Sequence, residues 1–184
     1  MSSVKVLSPS KLAHVVLRTG RFQEMVDFYK KFLGAKASYE NKFLSFLTYD
    51  EEHHRIAIVF KPGLNSRDEE TAGMEHMAFT YDKLEDLFQA YKQRLEIGIK
   101  PVLCINHGPT MSIYYADVDG NEIETQVDSF DTAEAATKFM MGEAFDQNPI
   151  GVEFDPEEIM GRMAKGESVK SILKRPDTIT GSKL

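Results

Sequence analysis

Apolar residues recur at helical spacing in two stretches of the chain, and the two stretches are in register with each other. Phe22, Met25, Val26, Tyr29 and Leu33 fall on one face of a helix predicted over about 22–33, with Gly34 as its stop signal. An offset of 62 residues carries these five positions onto Leu84, Leu87, Phe88, Tyr91 and Leu95, again all large and apolar or aromatic. They predict a second helix over about 84–96, with Gly98 just beyond it. Strand-like alternation follows each helix, at 36–40, 43–49 and 55–60 and then at 100–105, 112–117 and 122–127. A short apolar run precedes each helix, so each module reads as strand, helix, three strands.

Turn chemistry at Asp119-Gly120-Asn121 makes the last two strands of the second module a hairpin. The modules span about 11–61 and 73–128, joined by the polar surface loop 62–73. Together they predict an α+β domain over 1–130, two βαβββ modules whose mixed sheets curl around a cavity. Residues 131–184 break the repeat and read as a helical extension. Helices are predicted there at 132–141, capped by Asp131, at 156–163, started by Asp155 ahead of Pro156, and at 168–174. The basic residues within 170–175 read as a solvated face, and Phe139, Met140 and Met141 as core packing.

Composition narrows the function classes. With 184 residues, 42% apolar and 28% charged, the chain is an ordinary globular protein with a sizeable core. A net charge of -7 argues against nucleic acid and anionic membrane as partners, since both require a basic surface. No apolar run reaches the length of a membrane span, and the first residues lack the apolar core of a signal peptide. The single cysteine, Cys104, lies in an apolar stretch and is expected to be a buried thiol in a reducing, cytoplasmic setting.

The same offset of 62 residues relates two histidines. His14 stands in Ala13-His14-Val15-Val16-Leu17, and His76 in Glu75-His76-Met77-Ala78-Phe79. Glu124 closes the run Asp119-Gly120-Asn121-Glu122-Ile123-Glu124 in the last strand of the second module. Two neutral imidazoles and one carboxylate facing one cavity suit a divalent metal that keeps its remaining positions open. Each residue has a plainer reading: a lone histidine in an apolar strand is a satisfied core residue, and a lone glutamate is a surface carboxylate.

These segments, with Tyr114-Tyr115-Ala116-Asp117-Val118-Asp119 leading into the glutamate run, resemble the vicinal oxygen chelate superfamily over about 11–128. That group includes glyoxalase I, bleomycin-resistance proteins and the type I extradiol dioxygenases, and the one-domain extradiol enzymes are the nearest pattern. The resemblance implies Fe(II), with Mn(II) or Zn(II) as alternatives, held by His14, His76 and Glu124. It implies a catechol-type substrate, O2 as co-substrate and a homodimer. It also implies catalytic roles for Tyr114, ten positions before Glu124, for His54, just before Ile56-Ala57, and for His107.

In that reading Tyr114 stabilises the bound diol, His54 sits beside O2 and steers protons, and His107 supplies the acid for O–O cleavage. Other readings stay open. His53 and His54 follow Asp50, Glu51 and Glu52 and suit a solvated loop; His107 precedes Gly108-Pro109 and suits a turn; Tyr114 suits cross-strand packing. A glyoxalase-type enzyme needs a fourth ligand from the last strand of the first module, and 55–60 holds no acidic residue. An isomerase, epimerase or thiol transferase, or a non-enzymatic binding protein of the bleomycin-resistance type, are the alternatives.

Overall fold

A computed structural model of the chain describes residues 4–68 and 70–176, so the predicted tail beyond 176 lies outside the described residues. The chain forms two compact units, Met1–Arg67 and Asp68–Leu184. Each is an α+β sheet with one long helix, and the second also carries the tail.

In the first unit the order is β1 (Val15–Thr19), α1 (Phe22–Leu33), β2 (Lys36–Glu40), β3 (Leu44–Thr48) and β4 (Ile56–Phe60). The sheet order is β1-β4-β3-β2, with β1 parallel to β4 and the other pairs antiparallel. Helix α1 spans the predicted residues and buries Met25, Val26, Tyr29 and Phe32. Phe32 rather than Leu33 completes the inner face, because the helical stripe drifts by a residue over three turns. Gly34 ends the helix at φ 62, in the left-handed region that glycine enters without cost. Leu17, Ser45, Leu47, Ile56 and Ile58 are buried on the sheet, and α1 packs over β3 and β4.

The second unit repeats the plan with β5 (His76–Tyr81), α2 (Leu84–Glu96), β6 (Leu103–Asn106), β7 (Thr110–Ala116) and β8 (Glu122–Asp128). Here β5 runs parallel to β8, and β8-β7-β6 follow antiparallel. Asp117 was predicted as a strand end, but it leaves β7 and organises the turn. Its carboxylate accepts from the backbone N–H groups of Asp119 and Asn121 and from the Asn121 side chain. Cys104 is buried, and burial pushes its thiol up to about 12, so it is no nucleophile.

The tail folds onto this second sheet as α3 (Ala133–Met140), α4 (Glu143–Gln147), β9 (Val152–Glu153), α5 (Pro156–Ala164) and α6 (Val169–Leu173). Strand β9 adds to the free edge of β6, an element the sequence pattern does not show. Helix α4 was also unpredicted. Thr132, not Asp131, caps α3 by accepting from Ala135 N–H, whereas Asp155 caps α5 as predicted. Two further expectations change. Arg175 is buried rather than solvated, because its guanidinium is used up on backbone carbonyls, and Met140 and Met141 are exposed rather than core.

The approach of β9 to β6 depends on Gly151. It sits at φ 110, and a Cβ there would lie 2.3 Å from the Asn106 carbonyl oxygen. Gly151→Ala should lower stability by at least about 1–3 kcal/mol. Gly161→Ala, in α5 with open space around it, should raise stability by roughly 0.5–1 kcal/mol. Urea midpoints measure both, and equal midpoints would show that the close approach at Gly151 is wrong.

Candidate metal centre and active site

The second unit assembles four of the candidate residues. Parallel pairing sets His76 opposite Glu122 and Ala78 opposite Glu124, and antiparallel pairing sets Tyr114 opposite Glu124. Alternation then brings His76, Glu124 and Tyr114 to one face, while Met77, Ile113, Tyr115, Ile123 and Val127 are buried in the core. His76 Nε2 lies 3.0 Å from Glu124 Oε2. Two donor atoms bound at about 2.1 Å on adjacent octahedral positions stand about 3.0 Å apart, so the pair has the spacing of neighbouring metal ligands. Glu124 is only 5% exposed, and a buried carboxylate must be met by a cation or by strong donors.

Tyr114 borders this pair. Its ring meets the His76 ring edge-on at 5.4 Å, and its hydroxyl is 2.8 Å from His107 Nε2. Burial, followed by the charge of Glu124 and its hydrogen bond, pushes the phenol well above its usual range. The shift favours the protonated phenol, the form that can donate a hydrogen bond. His107 stands on the turn between β6 and β7, and its Nδ1 contacts the backbone carbonyl of Ile150.

The first unit holds the other two. His14 immediately precedes β1, where Val15 N–H donates to the Arg55 carbonyl. His54 precedes β4 and is 7% exposed, while His53 beside it points to solvent. The His14 and His54 rings are 4.3 Å apart, and Phe46 stacks on His54 at 4.4 Å and 15°. Burial, then the charges of His14 and His53, lower the pKa of His54 against the opposing pull of Glu52, so it is a neutral imidazole near pH 7.

Strand register compares the two modules position by position. Val16 pairs with Ala57 as Ala78 pairs with Glu124, so Ala57 occupies the first module's equivalent of Glu124. Phe46 pairs with Ala57 as Tyr114 pairs with Glu124, so Phe46 is the counterpart of the tyrosine. The first module thus has no carboxylate where the second has one.

Among the described residues no three His, Cys, Asp or Glu side chains gather into one metal-sized group, and of the three candidate ligands His76 and Glu124 stand side by side. Their chemistry fits a divalent ion: one carboxylate, one imidazole and a neutral phenol at the rim. Sequence reasoning missed Phe46, which an aligned copy of the two modules would have paired with Tyr114. It also missed Ile150, which acts through a backbone carbonyl and leaves no side-chain signal.

Residues 11–125 match the family model of the Glyoxalase/Bleomycin resistance protein/Dioxygenase superfamily. The chain is similar to biphenyl-2,3-diol 1,2-dioxygenase 2 of Rhodococcus globerulus, 45% identical over 163 residues that cover 88% of this chain and 86% of that protein. It is equally similar, at 45% identity over 148 residues, to biphenyl-2,3-diol 1,2-dioxygenase 3 of the same organism, covering 79% of this chain and 78% of that one. In fold it resembles a glyoxylase/bleomycin resistance protein/dioxygenase domain from Frankia sp. EAN1pec, with a TM-score of 0.56 at 18% identity over 66% of this chain and 99% of that one. A glyoxalase/dioxygenase from Nostoc punctiforme gives a TM-score of 0.53 at 24% identity, over 69% of this chain and 99% of that one. With paired βαβββ modules, a family model spanning both and relatives alike over most of their length, this chain belongs to the Glyoxalase/Bleomycin resistance protein/Dioxygenase superfamily.

Proposed function

We propose that the protein is an Fe(II)-dependent extradiol dioxygenase that opens a catechol-type ring with O2, with His14, His76 and Glu124 as metal ligands. The observation that carries this reading is the adjacent His76–Glu124 pair with Tyr114 at its rim. The names of the two Rhodococcus relatives support the reaction class. His14, His76 and Glu124 would hold the Fe(II), which when bound would supply Lewis-acid chemistry toward a diol and O2.

The chain's own groups handle protons and polarity. Tyr114 donates its hydrogen bond to a diol oxygen brought beside Glu124, stabilising the deprotonated diol. His107, whose Nε2 lies 2.8 Å from the Tyr114 hydroxyl, is placed to hold or deliver a proton beside the diol. His54, stacked on Phe46 on one side and beside the His14 ring, offers a polar nitrogen suited to steering a proton near O2. The carbon–carbon bond beside the diol breaks, and both oxygen atoms enter the product.

Ala57 counts against a glyoxalase-type reaction, because the position that would carry a fourth ligand is a methyl group. The retained polar cluster counts against a purely sequestering role. No helix among the described residues is long and apolar enough to cross a membrane, and Cys104 is a free thiol, which supports a cytoplasmic setting. A homodimer is part of the same reading.

Metal-free protein reconstituted anaerobically with Fe(II) should consume O2 and turn a panel of mono- and bicyclic catechols yellow on admission of air. No ring opening across the panel would overturn the reaction class. His76→Ala and Glu124→Ala should each lose bound iron and activity together, measured by elemental analysis beside O2 uptake; an iron-replete variant would remove that residue from the ligand set. Tyr114→Phe should keep its iron and lose on the order of 10²–10⁴ in kcat. A Tyr114→Phe enzyme with unchanged kcat would leave the phenol no more than a packing role.

A further inference from the structure

We propose that the C-terminal tail is the positioning element for His107, and that Arg175 is the positioning residue that holds it there. The proposal rests on the reading of His107 as a proton carrier for its catalytic meaning, but its geometry stands in the second unit alone.

The turn that bears His107 is gripped from several sides. Asn106 accepts from Gly108 N–H through Oδ1 and donates through Nδ2 to the Leu173 carbonyl of α6. Gly151 lies against the Asn106 carbonyl and the His107 Cα, and the Phe139 ring of α3 lies over Gly108, where a Cβ would meet it at 2.3 Å. Every tail segment that touches the turn therefore does so at a glycine or through a specific hydrogen bond.

Arg175 ties these segments together. It is 9% exposed, with its guanidinium 5.2 Å from the Phe139 ring centre. Nη1 donates to the His107 carbonyl at 3.0 Å and to the Asn148 carbonyl at 2.7 Å, and Nη2 donates to the Ala144 carbonyl at 2.6 Å. One planar fork thus pins the backbone of His107 to the segment that runs from α4 to β9, a geometry an ammonium cannot reproduce. Within that segment the Asn148 amide bridges both the N–H and the carbonyl of Gly151. The adjoining Ile150 carbonyl is thereby held against His107 Nδ1.

The consequence is a fixed tautomer. A carbonyl oxygen only accepts, so His107 Nδ1 carries the hydrogen, and Nε2 is the nitrogen that faces the Tyr114 hydroxyl. Without the Ile150 carbonyl in place, the ring is free to carry its hydrogen on Nε2 and donate it to the Tyr114 hydroxyl oxygen. The tail thereby decides which nitrogen of His107, the one with the hydrogen or the one without, faces the Tyr114 hydroxyl.

The test uses the full-length chain, metal-free and labelled with ring-15N histidine, its His107 signals assigned by their loss in His107→Asn. The wild type should show the Nδ1–H tautomer, and Arg175→Met should show a mixture. On the iron-loaded enzyme, Arg175→Met should lower kcat on the order of 10- to 100-fold with KM and iron content nearly unchanged. It should add no further loss on a His107→Asn background. An Nε2–H tautomer in the wild type, an unchanged tautomer in Arg175→Met, or a full additional loss on the His107→Asn background would each overturn the proposal. If Arg175→Met does not fold, Arg175→Lys is read by the same signals with the same outcomes. If the wild type opens no catechol, the reaction reading fails while the tautomer measurement still decides the positioning role.

Discussion

The parallel pairing of the first and last strands within each module is the constraint on which the rest depends. In sequence, His76 and Glu124 are separated by a helix and two strands. In the sheet they lie on neighbouring strands, because β8 returns alongside β5 in the same direction. Parallel neighbours need a long crossover, and here α2, β6 and β7 together supply it. The antiparallel β7–β8 hairpin then adds Tyr114 across from Glu124. The polar face of the second sheet is a product of strand order and register before it is a product of individual side chains.

That face imposes an electrostatic cost which the neighbours of Glu124 offset. A buried carboxylate is unfavourable unless partners surround it, and His76 and Tyr114 stand beside Glu124 in this arrangement. The same burial keeps the Tyr114 phenol protonated. In the first module the equivalent positions carry Ala57 and Phe46, and the polar requirement disappears: Phe46 instead gives His54 an apolar face to stack on.

Much of this was legible in the sequence, for physical reasons that differ by element. Helices α1 and α2 could be read to their ends because a packed face repeats at 3.6 residues and Gly34 marks a left-handed stop. His76 could be singled out because an offset of 62 residues pairs it with His14, whereas Tyr114 was singled out only through the family resemblance, by its place ten positions before Glu124. Strand β9 could not be read, since two residues carry no period and its conformation is set by the partner edge of β6. Arg175 looked like a solvated base because a charged side chain gives no sign of where backbone carbonyls will converge. The Ile150 carbonyl was invisible in principle, since every residue has one. Thr132 displaced Asp131 as the cap of α3 by a single residue, a shift that local chemistry alone does not resolve.

The contrast between Ala57 and Glu124 has a consequence for how the two halves can change. Both stand at one address in one duplicated fold, yet a substitution at the first is answered by packing volume and at the second by charge. The duplication has become a division of labour: the second copy keeps a carboxylate and a phenol at two places where the first, beside its own His14 and His54, carries apolar side chains. Drift in the first half can alter what the protein accommodates while the polar constellation of the second half stays as it is.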